Sequence, residues 1–374
     1  MIKENKHQLL WITFGLITLI IFTITKRFPE FIESFYSRGV FLGLRFIWDH
    51  SFSLSPIPLI YLFFPLVLFF TLRDIFSYKN NQTHLTTKTS IQTKFSKISL
   101  KVLAFVMGAL GIFYWSWGFN YNRVPLETQL SLPVITPNKD VLFNEFNNTI
   151  KSINRLRALI SEDEITALND NDLPSNIETT VRENLTTVLD ELNYPNLGRA
   201  RVRETYPKGS LIALGAAGIY IPFIGEGHFD AATYPLEHPA LIAHEMSHGY
   251  GFINEGVCNF LAILTSLKSN NLIIRYSGQL LYLRYLAYDL YQADNELYQK
   301  AIKQYSRGLV ADLNAIRLNN QKYQPLFRQF SRMVYNQYLK HQGVKEGIKS
   351  YNTVIRLYMA YKESLNSSIH SNHF

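Results

Sequence analysis

The sequence predicts a mainly α protein, in which N-terminal transmembrane helices precede an α+β domain with a small edge-strand sheet and a helical C-terminal subdomain. Three observations carry this reading. Long apolar runs crowd residues 1–120, a Gly-rich β-branched stretch occupies only Leu211 to Ala231, and the rest spaces its apolar residues helically.

The first run, Leu9 to Thr25, is uncharged and ends at Lys26-Arg27. The second, Phe52 to Leu72, is broken only by Pro56, Pro58 and Pro65, and the third, Val102 to Gly118, closes on Tyr114, Trp115 and Trp117. A hydrocarbon core of ~30 Å takes roughly 17–25 apolar helical residues, so spans are expected at 9–25, 52–72 and 102–118. A cleaved signal peptide does not fit the first run, because no small-x-small site follows it and two more runs do. Residues 1–120 thus read as a membrane anchor and 121–374 as the second domain. The loop from Arg73 to Lys101 holds Arg73, Lys79, Lys88, Lys94, Lys97 and Lys101 against Asp74. That bias places the loop and the N-terminus in the cytoplasm and everything after Asn120 outside it. Arg27, Arg38 and Arg45, in the link between the first two runs, weaken the asymmetry.

About half of the net charge of +8 comes from that loop. No basic helix interleaved with aromatics appears, so a nucleic-acid partner is not expected. A single cysteine, Cys258, excludes an internal disulfide and leaves the redox compartment open.

Beyond the anchor, Lys139 to Ile160 spaces Val141, Leu142, Phe146, Ile150, Ile153 and Leu156 as one helix face. Ser175 to Leu192 predicts a second helix, with Ser175 and Glu178 as a capping box and Ser161 to Pro174 as the loop before it. One or two strands are expected from Leu211 to Ala231, with Pro222 confining that segment to an edge or bulge. Pro235 and Pro239 bracket the start of the next helix, where a missing N–H costs nothing. From Ser269 to about Tyr361 the pattern is helical again.

Pro239 to Tyr250 reads PALIAHEMSHGY. On a helix His244 and His248 are ~6 Å apart along the axis and close in azimuth, so both imidazoles can reach one ion. Glu245, beside the first ligand, suits a general base acting on a zinc-bound water. The plainer alternative is two histidines and a glutamate pairing on a half-buried helix. A third ligand is required, and Glu255 is the candidate. On a continuous helix it would lie ~10 Å beyond His248, so the chain must bend back. Gly249 and Gly251 permit the positive φ of such a turn. Glu255 could otherwise be an acid at a helix N-terminus. The other nearby carboxylates, Glu226, Asp230 and Glu237, all lie upstream.

HEMSHGYGFINEGVCNFLA resembles the gluzincin arrangement, H-E-x-x-H followed by a glutamate in E-x-x-A-[DN], with Glu255, Cys258 and Asn259 in that segment. The chain is more similar still to an uncharacterised bacterial membrane family, domain of unknown function 3810, in which helical spans precede a zinc-protease-like domain. The matching segments are WSWGFNYNR, GIYIPFIGEGHFDA and YNQYLKHQGVKEGIKSYNTVIRL. The chain departs from that pattern at Gly249, where the family has glutamine, and at Cys258, where it has alanine; neither position supplies a ligand. Cys258 reads as a small buried hydrophobe.

The resemblance implies a zincin-like metallopeptidase domain on a multi-pass protein of the bacterial cell membrane, with the catalytic domain extracytoplasmic. It implies Zn2+ as cofactor, His244, His248 and Glu255 as metal ligands, and Glu245 as catalytic base. The partners expected are a peptide or protein substrate and membrane lipid; the oligomeric state is left open. Gly218 to Gly225 would line the cleft and pair with extended substrate. Glu226 is open between a substrate contact, a ligand-orienting group and a surface acid. Tyr338, His341 and Tyr351 carry donors suited to an oxyanion, but none is assigned that role, and His228 and His238 read as structural. The alternative function is a non-catalytic membrane sensor built on a zinc-protease-like domain. An intramembrane protease does not fit, because residues 225–255 are too polar.

Overall fold

The computed structural model describes residues 5–80, 91–326 and 353–371, with Gln329 and Met333. It is mainly helical, with one three-stranded sheet. The chain forms two compact units, Met1–Arg123 with Ile221–Gly225, and Val124–Tyr220 with Glu226–Phe374.

In the first unit, helix Lys6–Thr25 and the Ile98–Ser116 part of helix Ile91–Ser116 are long and apolar enough to cross a membrane. They pack side by side, and polar groups pin their ends together. Trp115 Nε1 donates to Thr18 Oγ1 at 3.2 Å, and Asn122 Nδ2 donates to the Phe22 carbonyl at 2.8 Å and to Thr25 Oγ1 at 2.9 Å. The expected span 52–72 is helical only in its later part. Phe52–Leu54 forms one 3-10 turn, and the helix Ile60–Asn80 begins after it. Among the described residues its apolar part is Ile60–Arg73. Pro56 and Pro58 explain the late start: each removes an N–H and biases the residue before it towards extended backbone.

The link after the first span is helical. Pro29–Phe31 leads into the π-helix Ile32–Val40 and then helix Phe41–Asp49. Two of its acids, Glu33 and Asp49, are buried in ion pairs. Glu33 accepts from Arg38 Nε at 2.9 Å and from Arg123 Nη2 at 2.8 Å, and Asp49 accepts from Arg45 Nη2 at 2.6 Å. Arg45 Nη1 also donates to the Gly225 carbonyl at 3.2 Å. Within the same unit, Ile221 and Ile224 bury against Leu59, with Ile60 and Phe63 beside them.

In the second unit, helix Lys139–Ile160 spans its expected residues and is capped by Asn138, whose side chain accepts from the Val141 N–H. Helix Ile177–Glu191 follows Asn176 with no side-chain cap, so the expected capping box is not formed. Glu178 is instead held at 2.7 Å by both Arg182 and Arg201, and a charged pair outcompetes a neutral cap for that carboxylate.

Strands β1 (Arg201–Thr205), β2 (Gly218–Ile221) and β3 (Glu226–Asp230) form the sheet in the order β1-β3-β2. β1 and β3 are parallel, registered from Arg201 opposite Glu226 to Thr205 opposite Asp230. β2 is therefore an edge strand, and Pro222 falls just beyond it. Leu211 to Ala213, expected as strand, lies in the short helix Ser210–Ala213.

Helix His238–Gly249 packs on β1 and β3 and against the buried helix Glu255–Leu267. Two apolar clusters hold this unit. One joins Val181, Leu185 and Leu189 to Ala243, Met246 and Phe260; the other joins Phe146, Ile150 and Ile153 to Leu283 and Leu286. A buried polar staple secures the second cluster. Asp312 accepts from Arg157 Nε at 2.7 Å, the Tyr276 hydroxyl at 2.6 Å and the Leu168 N–H at 2.9 Å.

Candidate metal centre

Helix His238–Gly249 carries Pro239 in its first turn, preceded by the 3-10 turn Pro235–Glu237. His244 and His248 lie one helical turn apart, with ring centroids separated by 4.9 Å. The helix then stops. Gly251 takes φ +87°, its N–H bonds the His248 carbonyl at 3.0 Å, and the Phe252 N–H bonds the Ser247 carbonyl at 3.1 Å. Only Gly251 uses the left-handed conformation expected of both glycines; Gly249 stays in the helix. Asn254 caps the following helix through the Val257 N–H, which makes Glu255 its first residue.

The reversal brings the Glu255 carboxylate to both imidazoles. Its Oε2 lies 3.2 Å from His244 Nε2 and its Oε1 3.8 Å from His248 Nε2. One donor atom from each of the three residues lies within 4.8 Å of the others. Ligand atoms ~2.0–2.1 Å from a tetrahedral zinc stand about 3.3 Å apart, so the spacings bracket what the ion needs. Two imidazole nitrogens and one carboxylate are also a donor set that zinc accepts.

Neighbouring groups fix how the histidines present themselves. His248 Nδ1 lies 2.9 Å from the Phe252 carbonyl, which can only accept, so Nδ1 carries the proton and Nε2 keeps its lone pair. The Asn259 Nδ2 donates to the Glu255 carbonyl at 2.8 Å, which turns Asn259 Oδ1 towards His244 Nδ1 at 3.1 Å. His244 therefore also donates from Nδ1 and aims Nε2 at Glu255. Cys258 Sγ is buried 3.4 Å from His248 Nδ1, on the side away from Nε2, and burial pushes its thiol pKa well up.

The site's own charges are strongly coupled. Burial pushes Glu245 up to about 8; the nearby Glu255 adds to this and His244 opposes it. Burial lowers His248 to about 4 despite the attraction of Glu255. Burial also disfavours charge on His244, but the hydrogen bond and charge of Glu255 outweigh it and the net shift is upward. A dication among these groups would reverse that balance, displacing protons from the imidazoles and favouring carboxylates.

Glu245 is buried, and its Oε2 has no hydrogen-bond partner among the described residues. Its Oε1 faces the start of β2, where a Cβ built on Gly218 would sit 2.4 Å from it. Two residues along, on the same face of the strand, the Tyr220 ring centroid is 6.5 Å from that of His248. Asn259 stands in the E-x-x-A-[DN] segment, one helical turn after Glu255, and Gly218 and Tyr220 in the segment expected to line the cleft, but the spacing assigned none of them, nor the Phe252 carbonyl, its contact here.

The remaining candidates fall elsewhere. Glu226 is not a surface acid: it is buried and paired with Arg203 Nε at 2.5 Å, because its strand lies in the middle of the sheet. His228 is fully buried beside it, and His238 Nε2 lies 3.0 Å from the Thr233 carbonyl, as structural histidines would. Tyr338, His341 and Tyr351 lie outside the described residues. No curated protein and no solved structure matches the chain. A family model described as protein of unknown function, DUF3810, matches residues 36–359. That match takes in the later part of the helical link, the sheet and the whole His244–Glu255 cluster, and the chain belongs to the DUF3810 family.

Proposed function

We propose that this chain is a membrane-anchored zinc metallopeptidase of the gluzincin type. Its second unit would be a zincin-like domain on the extracytoplasmic side of a multi-pass anchor. The observation that carries the reading is the buried oxygen of Glu245, without a hydrogen-bond partner among the described residues, beside three convergent donors, His244, His248 and Glu255. A buried carboxylate without a hydrogen bond is costly, and such a group is retained where chemistry needs it.

His244, His248 and Glu255 would hold the ion. Bound zinc would supply Lewis acidity, polarising a scissile carbonyl and easing deprotonation of water. Glu245 would take the proton from the attacking water and deliver it to the leaving amine. β2 lies at the edge of the described sheet, so an extended peptide could add to it with its scissile bond near Glu245. Tyr220, over His248, would border that peptide.

The test is metal content and peptide hydrolysis in the full-length protein and in Glu245→Gln. The expected result is about one zinc per chain in both, with hydrolysis in the first only. Absence of metal from both overturns the metal site. Equal residual hydrolysis in both overturns the role of Glu245, and metal without turnover in either overturns the peptidase in favour of a sensor.

A further inference from the structure

The helical link between the first span and the turn at Phe52 buries charge and exposes large apolar side chains. Its protein-facing side buries Glu33, Arg45 and Asp49 together with Ile32, Tyr36, Phe41 and Trp48, while its outer side exposes Phe31, Phe35, Phe46 and Ile47 alongside Glu30, Ser34 and His50. A helix facing water would turn the charged groups outward rather than these four apolar ones. Every charge on the inner side is compensated: Glu33 by Arg38 and Arg123, and Arg45 by Asp49 and the Gly225 carbonyl. Ion pairs held among protein groups, with aromatic and aliphatic side chains outside, are the arrangement that a hydrocarbon solvent demands.

The exposed apolar residues also follow directly on those of the first span. Ile17, Ile20 and Ile24 lie on that helix and Phe28, Phe31 and Phe35 come after the turn at Lys26-Arg27, and each is more than half exposed. Phe31 and Phe35 stack with ring centroids 5.1 Å apart and point away from the protein together. Phe46 and Ile47 are about 60% exposed. Single exposed apolar residues mean little, but a run of this length marks a partner surface. Two occupants could cover it, protein or lipid. The continuity with a helix apolar enough to span a bilayer decides for lipid.

We propose that the helical segment Pro29–Asp49 is a membrane-embedded element, its Phe31, Phe35, Phe46 and Ile47 face buried among lipid acyl chains at the bilayer interface. One consequence follows. The anchor grips the membrane through an interfacial helix as well as its spans. It does not depend on the metal site.

Site-directed spin labelling of the full-length protein in lipid nanodiscs tests this. Phe35→Cys and Ile47→Cys are labelled separately, with Ile20→Cys as a lipid-facing reference and Val134→Cys, almost fully exposed, as a water-facing one. The native Cys258 is buried, and the unsubstituted chain gives its background. Collision with oxygen should exceed collision with a water-soluble nickel chelate at 35 and 47, as at 20, by about tenfold relative to 134. Nickel access at 35 and 47 equal to that at 134 overturns the proposal. Protection from both reagents also overturns it, because a second copy or another protein would then cover the face. Photocrosslinking of the unsubstituted protein by a lipid carrying an acyl-chain diazirine gives a check free of substitutions. Adducts should map to the 28–47 peptides, and adducts confined to the two spans would count against the proposal.

Discussion

Gly218 of the edge strand lies directly against Glu245 of the metal-site helix, so that a Cβ built on it would stand 2.4 Å from Oε1 and 2.9 Å from Cδ. The absence of a side chain there lets the carboxylate rest between strand and helix. Gly218→Ala would push the end of a flexible side chain aside rather than break the fold. A displacement of about 1 Å at a catalytic group costs on the order of 100-fold in rate. The expected outcome for Gly218→Ala is hydrolysis reduced by that order with zinc content and melting temperature little changed. Unaltered hydrolysis would show that Glu245 does not have to stay where Gly218 lets it lie.

Asn259 sets the tautomer of His244 through Oδ1 while its Nδ2 is tied to the Glu255 carbonyl. Losing such an outer partner typically weakens metal affinity 10–100-fold. Asn259→Ala should lose zinc to a competing chelator by that factor, whereas Asn259→Asp keeps an acceptor for Nδ1 and should lose less. Equal affinities in all three proteins would leave His244 oriented by its helix alone.

The metal cluster and its surroundings were legible to different degrees in the sequence, for physical reasons. His244 and His248 are one helical turn apart, so local geometry alone brings their rings together. Glu255 required a reversal of the chain, and Gly251 announces it because few other residues accept φ +87°. Gly218 and Tyr220 reach the site through strand pairing, a non-local event that no spacing encodes. β1 was missed because Arg201 and Arg203 look solvent-exposed, whereas Glu178 and Glu226 neutralise them. The helical link escaped for the inverse reason: Glu33, Arg45 and Asp49 face inward while Phe31, Phe35 and Phe46 face outward, which blurs the pattern of a water-soluble helix. In the expected second span the helix starts only at Ile60, because Pro56 and Pro58 disfavour a helix before it whatever the apolar composition.

Removing the ion should loosen the second unit, because His244 and His248 come from one helix and Glu255 from the next. A ligand that binds only the native state stabilises it by RT ln(1 + [L]/Kd), about 2.7 kcal/mol at a hundredfold excess over Kd. A chelator should lower the melting temperature of the native sequence and restore it on addition of zinc. His248→Ala should melt at the same temperature with or without chelator. A chelator effect that persists in His248→Ala would place the stabilising ion elsewhere.

Asp312 is a purely structural counterpart, since its staple touches none of the metal donors. Asp312→Ala leaves the Arg157 guanidinium buried without its acid and strands the Tyr276 hydroxyl and Leu168 N–H. Breaking one side of a buried pair costs ~3–5 kcal/mol. The variant should unfold at clearly lower denaturant concentration, with Asp312→Asn less affected because it can still accept from two donors. An unfolding midpoint unchanged in Asp312→Ala would mean that the network adds nothing to stability.

His228 should make the second unit sensitive to acid. Burial, reinforced by the Arg203 charge, lowers its pKa from 6.5 to about 3, although Glu226 Oε2 lies 3.5 Å from Nε2. We follow the burial argument, because 3.5 Å with a carboxylate already held by Arg203 cannot offset full desolvation. As pH falls below 6.5 the unfolded chain takes up a proton at this position while the folded chain resists until about pH 3. The unfolded state then binds more protons, so stability falls as pH falls across that window and is fully retained above it. Replacing the ring by an uncharged amide removes the titrating group. His228→Gln should therefore be less stable than the native sequence at pH 8 but lose less on going to pH 5, measured as the change in unfolding midpoint. Parallel pH dependence in the two proteins would show that His228 is already free to protonate in the folded state.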